Sequence, residues 1–385
     1  MYTYILVHYG EIGIKGKNRI YFEKKLIENI KKALYGLQYE FINRLYGRII
    51  IKLTKNSNIK MIKKRLKNVF GISYFSFAID AKISINDMKK KALILLKTNK
   101  RKTFRITTRR SYKKFPYESR KVNEIVGKYI VDCTGMKVNL SKPDIEIFIE
   151  ITERNAFIYY EKVKGLGGLP IGVSGKVVSL ISGGIDSPVA SFMMMKRGCE
   201  VVFVHFHNYT GLSYEVKNKI IKLVEILNRY QFNSKLYLVP FKEIQLEIIK
   251  YVPAKYRMII YRIIMLRIAE NILEKEKAKA FVTGDNIAQV ASQTLENLNI
   301  IYNSTKYLVF SPLIGFDKNE IILMSKKIGT YNTSIKPYND CCSFFVSKHP
   351  TTKGNINIIR NLEKMLKIKK LISNTIKKIE IIKIE

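Results

Sequence analysis

The chain has 385 residues, of which 47% are hydrophobic and 26% charged, a composition typical of packed globular proteins with two or three domains. Its 69 Lys and Arg residues outnumber 31 Asp and Glu residues, which gives a formal net charge of +38. Such an excess of positive charge indicates what the protein binds rather than how it folds. It favours a polyphosphate such as nucleic acid over a lysine-rich surface that is merely solvated.

Several classes of protein are excluded by what the sequence lacks. No apolar run approaches the roughly 20 residues of a membrane span, and the apolar start is too short for a signal peptide. The four cysteines lack the spacing of a disulfide framework, so we expect a reducing, cytoplasmic compartment. Because the sequence contains no CxxC pair and only four histidines, none in HExxH, we expect no metal site built from protein side chains alone.

The first 57 residues are predicted to form a small α+β domain. Apolar patterns indicate a strand over Tyr2–His8, a helix over Asn18–Leu34 and a strand over Arg48–Leu53. A glycine-rich basic loop, Gly10–Arg19, joins the first strand to the helix, and a plain turn explains its glycines as well as a phosphate site does. The basic residues of this loop that we consider candidates for RNA binding are Lys15, Lys17 and Arg19.

Residues 58–165 are predicted to form a folded basic domain. Between Lys60 and Lys121 there are 20 Lys or Arg residues and only three acids. Phe104 and Ile106 alternate with polar residues at the peak of this charge, which indicates a strand rather than a disordered tail. Aromatic residues follow that could stack on bases or pack into the core, Tyr112, Phe115 and Tyr117. The candidate RNA-binding residues here are Arg105, Arg109, Arg110, Lys113 and Lys114.

A glycine-rich stretch over residues 164–172 predicts a hinge, and from residue 173 strands and helices alternate. The predicted strands are Lys176–Ile181, Glu200–His207, Lys235–Pro240 and Ala278–Thr283. The predicted helices are Ser187–Arg197, Tyr214–Tyr230, Phe241–Tyr251, Lys255–Glu274, Ile287–Leu298, Lys318–Ile328 and a lysine-rich tail over the last thirty residues. Continuous β-branched runs indicate strands buried on both faces, as in a doubly wound parallel sheet.

The strongest chemical signal is Ser-Gly-Gly-Ile-Asp-Ser at 182–187, directly after the first strand of this α/β region. Glycines there let backbone amides approach a ligand, and the following helix N-terminus favours an anion. We therefore predict a pyrophosphate cradle formed by Ser182, Gly183, Gly184 and Ser187. The loop lacks the GK[ST] ending of a Walker A motif and resembles the PP-loop of ATP pyrophosphatases. Residues 283–294 repeat the order of strand, glycine and polar loop.

Four segments together resemble the tRNA uridine 4-sulfurtransferase (4-thiouridine synthase) family. They are Tyr9–Arg19, Asp317–Ile321, Gly329–Tyr331 and Asn339–Pro350. The resemblance implies a ferredoxin-like domain over 1–57, a THUMP RNA-binding domain over 58–165 and a PP-loop ATP pyrophosphatase domain over 173–385. It also implies ATP-dependent thiolation of the uridine at position 8 of tRNA, with Mg²⁺ as cofactor. The nucleotide contacts that it implies are Leu180, Ile181, His205, Phe206, Arg262, Gly284 and Gln293.

The same resemblance implies three catalytic residues. Asp186 acts through metal or water, Lys318 stabilises charge that develops during adenylation, and Cys341 carries the sulfur as a persulfide. A resolving thiol, if one exists, is Cys342, Cys133 or Cys199. We expect no rhodanese domain in this form of the family, which leaves the sulfur donor open between a cysteine desulfurase and another persulfide or sulfide source.

The family further suggests a thiamine-pathway sulfur carrier protein as a second partner, and a homodimer as the assembly. Two alternative functions stay open at this point. One is a PP-loop RNA-modifying synthetase that uses another nucleophile, such as ammonia. The other is a non-catalytic tRNA-binding THUMP protein.

Overall fold

The computed structural model describes residues 2–97, 102–208, 214–337, 347 and 349–385. Two compact units divide the chain, Met1–Gly168 and Leu169–Glu385. No helix in these described ranges is long and apolar enough to cross a bilayer.

Over residues 2–97 and 102–168 the first unit contains a nine-stranded sheet with four α-helices. Its strands are β1 Tyr4–His8, β2 Phe41–Leu45, β3 Arg48–Lys52, β4 Tyr74–Ala81, β5 Thr103–Arg110, β6 Lys137–Val138, β7 Ile145–Ile151, β8 Ala156–Tyr159 and β9 Val163–Lys164. Its helices are α1 Arg19–Ala33, α2 Ile59–Leu66, α3 Ile85–Lys97 and α4 Ser119–Thr134. The strand order is β2-β3-β1-β4-β8-β7-β5-β6, and β9 pairs with β4.

Strand β4 joins the two halves of this sheet. Its first residues pair antiparallel with β1, from Tyr74 to Ala78, and its last residues pair with β8, from Ile79 to Ala81. Buried residues of α3 and α4 pack with those of β5 and β7 into one core on a single face, because alternate strand residues point to opposite faces. The glycine-rich basic loop leads into α1, and the basic segment of residues 102–115 contains β5.

The second unit contains a six-stranded sheet with nine α-helices over its described residues. The strands are β10 Lys176–Leu180, β11 Glu200–His207, β12 Ser234–Pro240, β13 Ala280–Val282, β14 Leu308–Phe310 and β15 Glu380–Ile384. The helices are α5 Asp186–Lys196, α6 Tyr214–Gln231, α7 Lys242–Tyr251, α8 Arg257–Lys275, α9 Leu295–Tyr302, α10 Lys318–Ile328, α11 Tyr331–Ser334, α12 Ile356–Lys364 and α13 Ile368–Lys377.

The sheet order is β14-β13-β10-β11-β12-β15, and every pairing is parallel except that of β15 with β12. Helices cover both faces. Ser179 on β10 faces α5, where its hydroxyl lies 2.8 Å from that of Ser191, while the neighbouring Val178 packs in a core with Ile264 and Ile268 of α8. The predicted doubly wound parallel sheet is therefore confirmed.

Two predicted elements were wrong. The helix expected over Ile287–Leu298 is replaced by a loop, a 3-10 turn over Ala291–Gln293 and the later helix α9. Thr294 is the reason for the late start, since its side chain accepts a hydrogen bond from Asn297 N–H and caps α9. The tail of the chain is not wholly helical, because β15 pairs with the edge of β12 and satisfies backbone groups there.

Candidate active site

The candidate site lies where the strand order of the second unit reverses. From β10 the chain continues to β11 and β12 on one side, whereas β13 pairs with β10 on the other. Ligands of open α/β sheets bind outside the carboxyl ends of strands at such a switch point. A cavity of about 480 Å³ opens there. Of the predicted nucleotide-contacting residues, all except Gly183 and Gly184 line it: Leu180, Ile181, Ser182, Ser187, His205, Phe206, Arg262, Gly284 and Gln293.

The loop after β10, the serine loop of residues 182–187, is closed by hydrogen bonds between Ser182 and Ser187. Ser182 N–H donates to Ser187 Oγ at 2.8 Å, and the two hydroxyl oxygens lie 3.1 Å apart. Gly184 N–H donates to Ser182 Oγ at 3.3 Å, and Ser334 Oγ donates to Gly184 O at 3.0 Å. Because α5 begins at Asp186, directly behind this loop, the amide ends of its first turn lie at the cavity and suit an anion.

Gly284 allows the loop after β13 to approach this serine loop. A Cβ placed on Gly284 would lie 2.7 Å from Ser187 N and 3.0 Å from the carbonyl carbon of Asp186. Backbone atoms cannot yield to such a contact as a flexible side chain can. Only glycine therefore lets the two loops meet at the mouth of the cavity.

The structure brings together Asp186 and Lys318, which are far apart in the sequence. Lys318 Nζ lies 2.6 Å from Asp186 Oδ1, and Gln289 Nε2 donates to Asp186 Oδ2 at 3.0 Å. Lys318 is the first residue of α10, whose N-terminus is fixed by a capping box between Asp317 and Glu320. A carboxylate and an ammonium group thus stand together at the cavity, and Asp186 itself lines it.

A buried carboxylate, Asp285, organises the inner wall of the cavity. Arg262 forms an ion pair with Asp285 Oδ2, Tyr302 O–H donates to the same oxygen at 2.6 Å, and Gln293 Nε2 donates to Oδ1 at 3.0 Å. Burial alone would raise the pKa of Asp285, but the Arg262 charge and the hydrogen bond from Tyr302 hold it below its ordinary value. Asp285 is therefore ionised, and it only accepts hydrogen bonds.

His205 is a neutral group in this cavity. Burial lowers the pKa of His205 to about 4. Its Nδ1 lies 2.9 Å from Ile181 O, and a carbonyl only accepts, so the proton of the neutral ring sits on Nδ1. This hydrogen bond joins the ends of β10 and β11 at the cavity wall.

The sequence did not reveal several residues of the site. Asp285 and Gln289 belong to the polar loop that follows β13, so their position carried a signal, although no role was predicted for them. Tyr302 is the last residue of α9, and nothing in the sequence pattern connects it to Asp285. Met258 and Met265 line the cavity from α8 and would pass as ordinary core residues of an apolar helix.

The predicted persulfide residue Cys341 lies outside the described residues, as does Cys342. Of the described residues that flank this segment, Ser334 donates to Gly184 O in the serine loop and Pro350 lines the cavity. Of the two described cysteines, Cys133 is exposed and Cys199 is buried, and burial raises the pKa of the Cys199 thiol.

In the first unit, the basic residues of the N-terminal loop lie at the turns that lead into α1. Lys17 is exposed, and Lys15 is half-buried with its ammonium 5.3 Å from an aromatic ring centre. The guanidinium of Arg19 lies 6.0 Å from the ring centre of Tyr9 and 5.7 Å from that of Tyr46. These cations border aromatic surface, an arrangement that suits both phosphates and bases.

The basic residues around β5 fall into two groups. Arg105 pairs with Glu146 at 2.6 Å, and Arg110 donates to the carbonyl oxygens of Phe115 at 2.8 Å and Tyr117 at 3.1 Å. Phe115 is buried and Tyr117 exposed. Arg105 and Arg110 thus have structural partners within the protein. The exposed candidates of this segment are Arg109, Lys113 and Lys114.

Family models match the chain in three places. The "ThiI ferredoxin-like domain" matches residues 4–76, the "THUMP domain" matches residues 82–161, and "Thiamine biosynthesis protein (ThiI)" matches residues 172–368. Each match falls on a part of the chain with the corresponding fold.

Curated relatives match over nearly the whole chain. A probable tRNA sulfurtransferase of Moorella thermoacetica is 40% identical over 386 residues, covering 100% of this chain and 98% of the relative. A probable tRNA sulfurtransferase of Acetivibrio thermocellus is 42% identical over 386 residues, covering 99% of this chain and 98% of the relative.

Solved structures agree with the relatives. A crystal structure of a 4-thiouridine synthetase–RNA complex with bound ATP matches with a TM-score of 0.91 and 36% identity, covering 100% of both chains. A protein of Pyrococcus horikoshii Ot3 matches with a TM-score of 0.68 and 30% identity, covering 85% of this chain and 99% of that one.

These matches confirm the predicted combination of ferredoxin-like, THUMP and PP-loop folds. They also show an enzyme rather than a non-catalytic tRNA-binding protein. The chain belongs to the thiamine biosynthesis protein (ThiI) family of tRNA sulfurtransferases.

Proposed function

We propose that this enzyme transfers sulfur to the uridine at position 8 of tRNA in an ATP-dependent reaction that gives 4-thiouridine. The observation that carries the proposal is the cavity at the switch point, which combines a serine-glycine anion loop with the Asp186–Lys318 pair. The similar crystal structure, described as a 4-thiouridine synthetase–RNA complex with bound ATP, supports it.

ATP would bind with its phosphates at the serine loop and its nucleoside in the cavity. Backbone amides at the start of α5 and the hydroxyls of Ser182 and Ser187 are donors for phosphate oxygens. The apolar wall formed by Phe206, Met265 and Leu266 suits a purine. With the nucleoside in the cavity and the phosphates at the serine loop, the α-phosphate would lie near the opening of the cavity, where a tRNA base could reach it.

The reaction would proceed in two displacements. Oxide is not a viable leaving group, so the uracil O4 first attacks the α-phosphorus of ATP, and pyrophosphate leaves. Sulfur then attacks C4, the C4–O bond breaks, and AMP leaves. We assign to Lys318 the stabilisation of the negative charge that develops during adenylation, since its ammonium stands at the mouth and α10 fixes its position.

The residues at the mouth fit a Mg²⁺ ion that is held mainly by phosphates. Mg²⁺ in nucleotide sites commonly takes one or two carboxylates together with phosphate oxygens and water. Asp186 can supply such a carboxylate, because its side chain is 21% exposed at the cavity and each of its oxygens has one described donor, Lys318 or Gln289. Asp285 is buried and pairs with Arg262. The ion would offset charge on the leaving pyrophosphate.

Sulfur would arrive as a persulfide on Cys341, supplied by a cysteine desulfurase or another persulfide donor. A sulfide donor would instead attack C4 directly, because sulfide forms no persulfide without an oxidant. After the persulfide attacks C4, a second thiol must cleave the S–S bond. This leaves sulfur on the base and a disulfide that an external thiol reduces. Cys199 is the weakest candidate for the second thiol, because burial raises its pKa and disfavours the thiolate.

The first unit would hold the tRNA by electrostatic contacts. Its exposed cations at Lys17, Arg109 and Lys113, together with the aromatic groups around Arg19, are candidate contacts. Sulfur transfer to a thiamine-pathway carrier protein, a homodimer and a cytoplasmic location stay predictions.

The test incubates tRNA with the enzyme, ATP, Mg²⁺ and a persulfide donor, and measures thiolated nucleosides by mass spectrometry and released pyrophosphate. We expect both products with the wild type and neither with Asp186→Ala. A variant Asp186→Ala with normal turnover would contradict the assignment of the site.

A second experiment tests the sulfur step. We expect Cys341→Ser to lose thiolation and keep tRNA-dependent pyrophosphate release. Cys133→Ser, a change at an exposed cysteine of the first unit, should keep pyrophosphate release, and its thiolation decides whether Cys133 is the second thiol. A fully active Cys341→Ser enzyme would end the persulfide role of this residue.

A further inference from the structure

One acceptor at the cavity has no donor within the part of the chain that the structure describes. The side chain of Gln293 lines the cavity, and its Nε2 donates to Asp285 Oδ1 at 3.0 Å. Its Oε1, at the other end of the same amide, is shielded from solvent and has no hydrogen-bond partner among the described residues. Buried acceptors without a partner are rare and costly, so this atom calls for an explanation.

Asp285 fixes which end of the amide turns towards it. A carboxylate accepts hydrogen bonds and donates none, so the NH₂ group of Gln293 must face Asp285 and the oxygen must face away. Asp285 is itself held in place by Arg262 and by Tyr302, whose hydroxyl donates at 2.6 Å and also lies 2.6 Å from Ser311 Oγ. The amide therefore cannot flip without breaking a buried, charge-assisted hydrogen bond.

We propose that Asp285 is a specificity-determining positioning residue that presents Gln293 Oε1 to the nucleoside of ATP as a fixed hydrogen-bond acceptor. This rests on the proposed binding of ATP in the cavity. The ligand group must be a donor, and ATP offers donors of this kind in its ribose hydroxyls and in the 6-amino group of adenine. A nucleotide that lacks the donor leaves Oε1 unpaired in a desolvated site, and sites of this kind reject such analogues strongly.

The experiment measures dissociation constants of the full-length enzyme for ATP, 2′-deoxy-ATP, 3′-deoxy-ATP and the 6-deamino analogue of ATP by calorimetry. For the wild type we expect one analogue to bind roughly tenfold more weakly than ATP, as expected when a buried acceptor is left unpaired. The identity of that analogue shows whether the donor is a ribose hydroxyl or the amino group.

Two variants then test the positioning. In Asp285→Asn the new amide can donate as well as accept, so Gln293 can turn, and we expect the discrimination to fall to about threefold or less. In Gln293→Met, which keeps the volume and removes the acceptor, ATP and the discriminated analogue should bind equally. Tyr307→Phe is the matched control, because it removes a tyrosine hydroxyl that donates to a carboxylate, Glu274, at 2.7 Å and does not line the cavity.

Each outcome decides the inference. A wild type that binds ATP and all three analogues equally overturns the inference and leaves the proposed function standing. Full discrimination in Asp285→Asn or in Gln293→Met overturns it as well, and the second variant decides if the first does not fold. A wild type that binds no ATP overturns both this inference and the proposed function.

Discussion

The buried carboxylate of Glu150 offers a quantitative test of the packing of the first unit. Glu150 lies on β7 and is 1% exposed. It accepts a hydrogen bond from Tyr159 O–H at 2.6 Å, pairs with Arg48 and lies 3.3 Å from His8 Nε2. Burial alone would raise the pKa of Glu150, but His8, Arg48 and Tyr159 together lower it from 4.5 to about 2.

This lowered pKa predicts the size and sign of a stability effect. The difference between 4.5 and about 2 corresponds to roughly 3 kcal/mol of stability, since each pKa unit is worth about 1.4 kcal/mol. A carboxyl whose folded pKa is depressed contributes this stability above its unfolded pKa and loses it as the pH falls through the folded one. We therefore expect Glu150→Gln to destabilise the first unit by about 3 kcal/mol at pH 7, with a difference from wild type that shrinks between about pH 4.5 and pH 2.

The assay is hydrogen-exchange mass spectrometry of the full chain in a urea series at pH 7 and at pH 3, read from peptides that cover β7. Glu161→Gln is the matched control, because Glu161 pairs with Lys63 at 2.6 Å on the surface, where it is 47% exposed. A surface pair contributes up to about 1 kcal/mol, so the control should change little. Equal losses for Glu150→Gln at the two pH values, or no loss at pH 7, would refute the reasoning.

Three further predictions concern single positions. Gly284→Ala should weaken ATP binding at least tenfold in calorimetry, because its Cβ would lie 2.7 Å from Ser187 N and displace the loop; unchanged affinity would contradict the close approach. Ala288→Gly should raise the free energy of unfolding by about 1 kcal/mol, since Ala288 has a φ of 60° that glycine adopts without strain. A melting temperature below that of the wild type would count against this. Reversing Arg109 and Lys113 to Glu should weaken tRNA binding more than tenfold and reduce the salt slope by about 2 in filter-binding assays, whereas an unchanged slope would place the tRNA elsewhere.

The strands of the second unit were predictable because their burial leaves a clear pattern. Strand β11 was predicted over Glu200–His207 and is observed over the same residues, since its seven residues after Glu200 are all buried and begin with a continuous apolar run over residues 201–204. The shortest strands were not predictable. Strands β6 and β9 have two residues each, and a pattern of two residues cannot be distinguished from a turn.

The loop after β13 shows where periodicity misleads. Ile287, Val290 and Ala291 have helical spacing, yet Ile287 and Val290 are 44% and 52% exposed and Ala288 adopts a left-handed conformation. These apolar residues therefore do not mark a buried helix face. In this loop Asp285 instead lines the cavity, and Gln289 donates a hydrogen bond to Asp186, which also lines it.

The candidate site could be predicted in its glycines and serines but not in its internal connections. A glycine after a strand is a local signal, so the sequence predicted Gly183 and Gly184 in the loop after β10, although neither lines the cavity. Gly284, which does line it, was predicted through the family resemblance. The pairing of Lys318 with Asp186 spans 132 positions, and that of Tyr302 with Asp285 joins two elements through the folded sheet. Only the fold reveals such pairings, because no local pattern encodes them.

The most direct test of the proposed function is the stoichiometry of a single turnover with tRNA, ATP and a persulfide donor. Nuclease mapping and mass spectrometry would locate the sulfur, and a coupled assay would count the pyrophosphate. We predict one 4-thiouridine at position 8 for each pyrophosphate released. Thiolation without ATP cleavage, or pyrophosphate release that never yields a thiolated uridine, would contradict the proposed reaction.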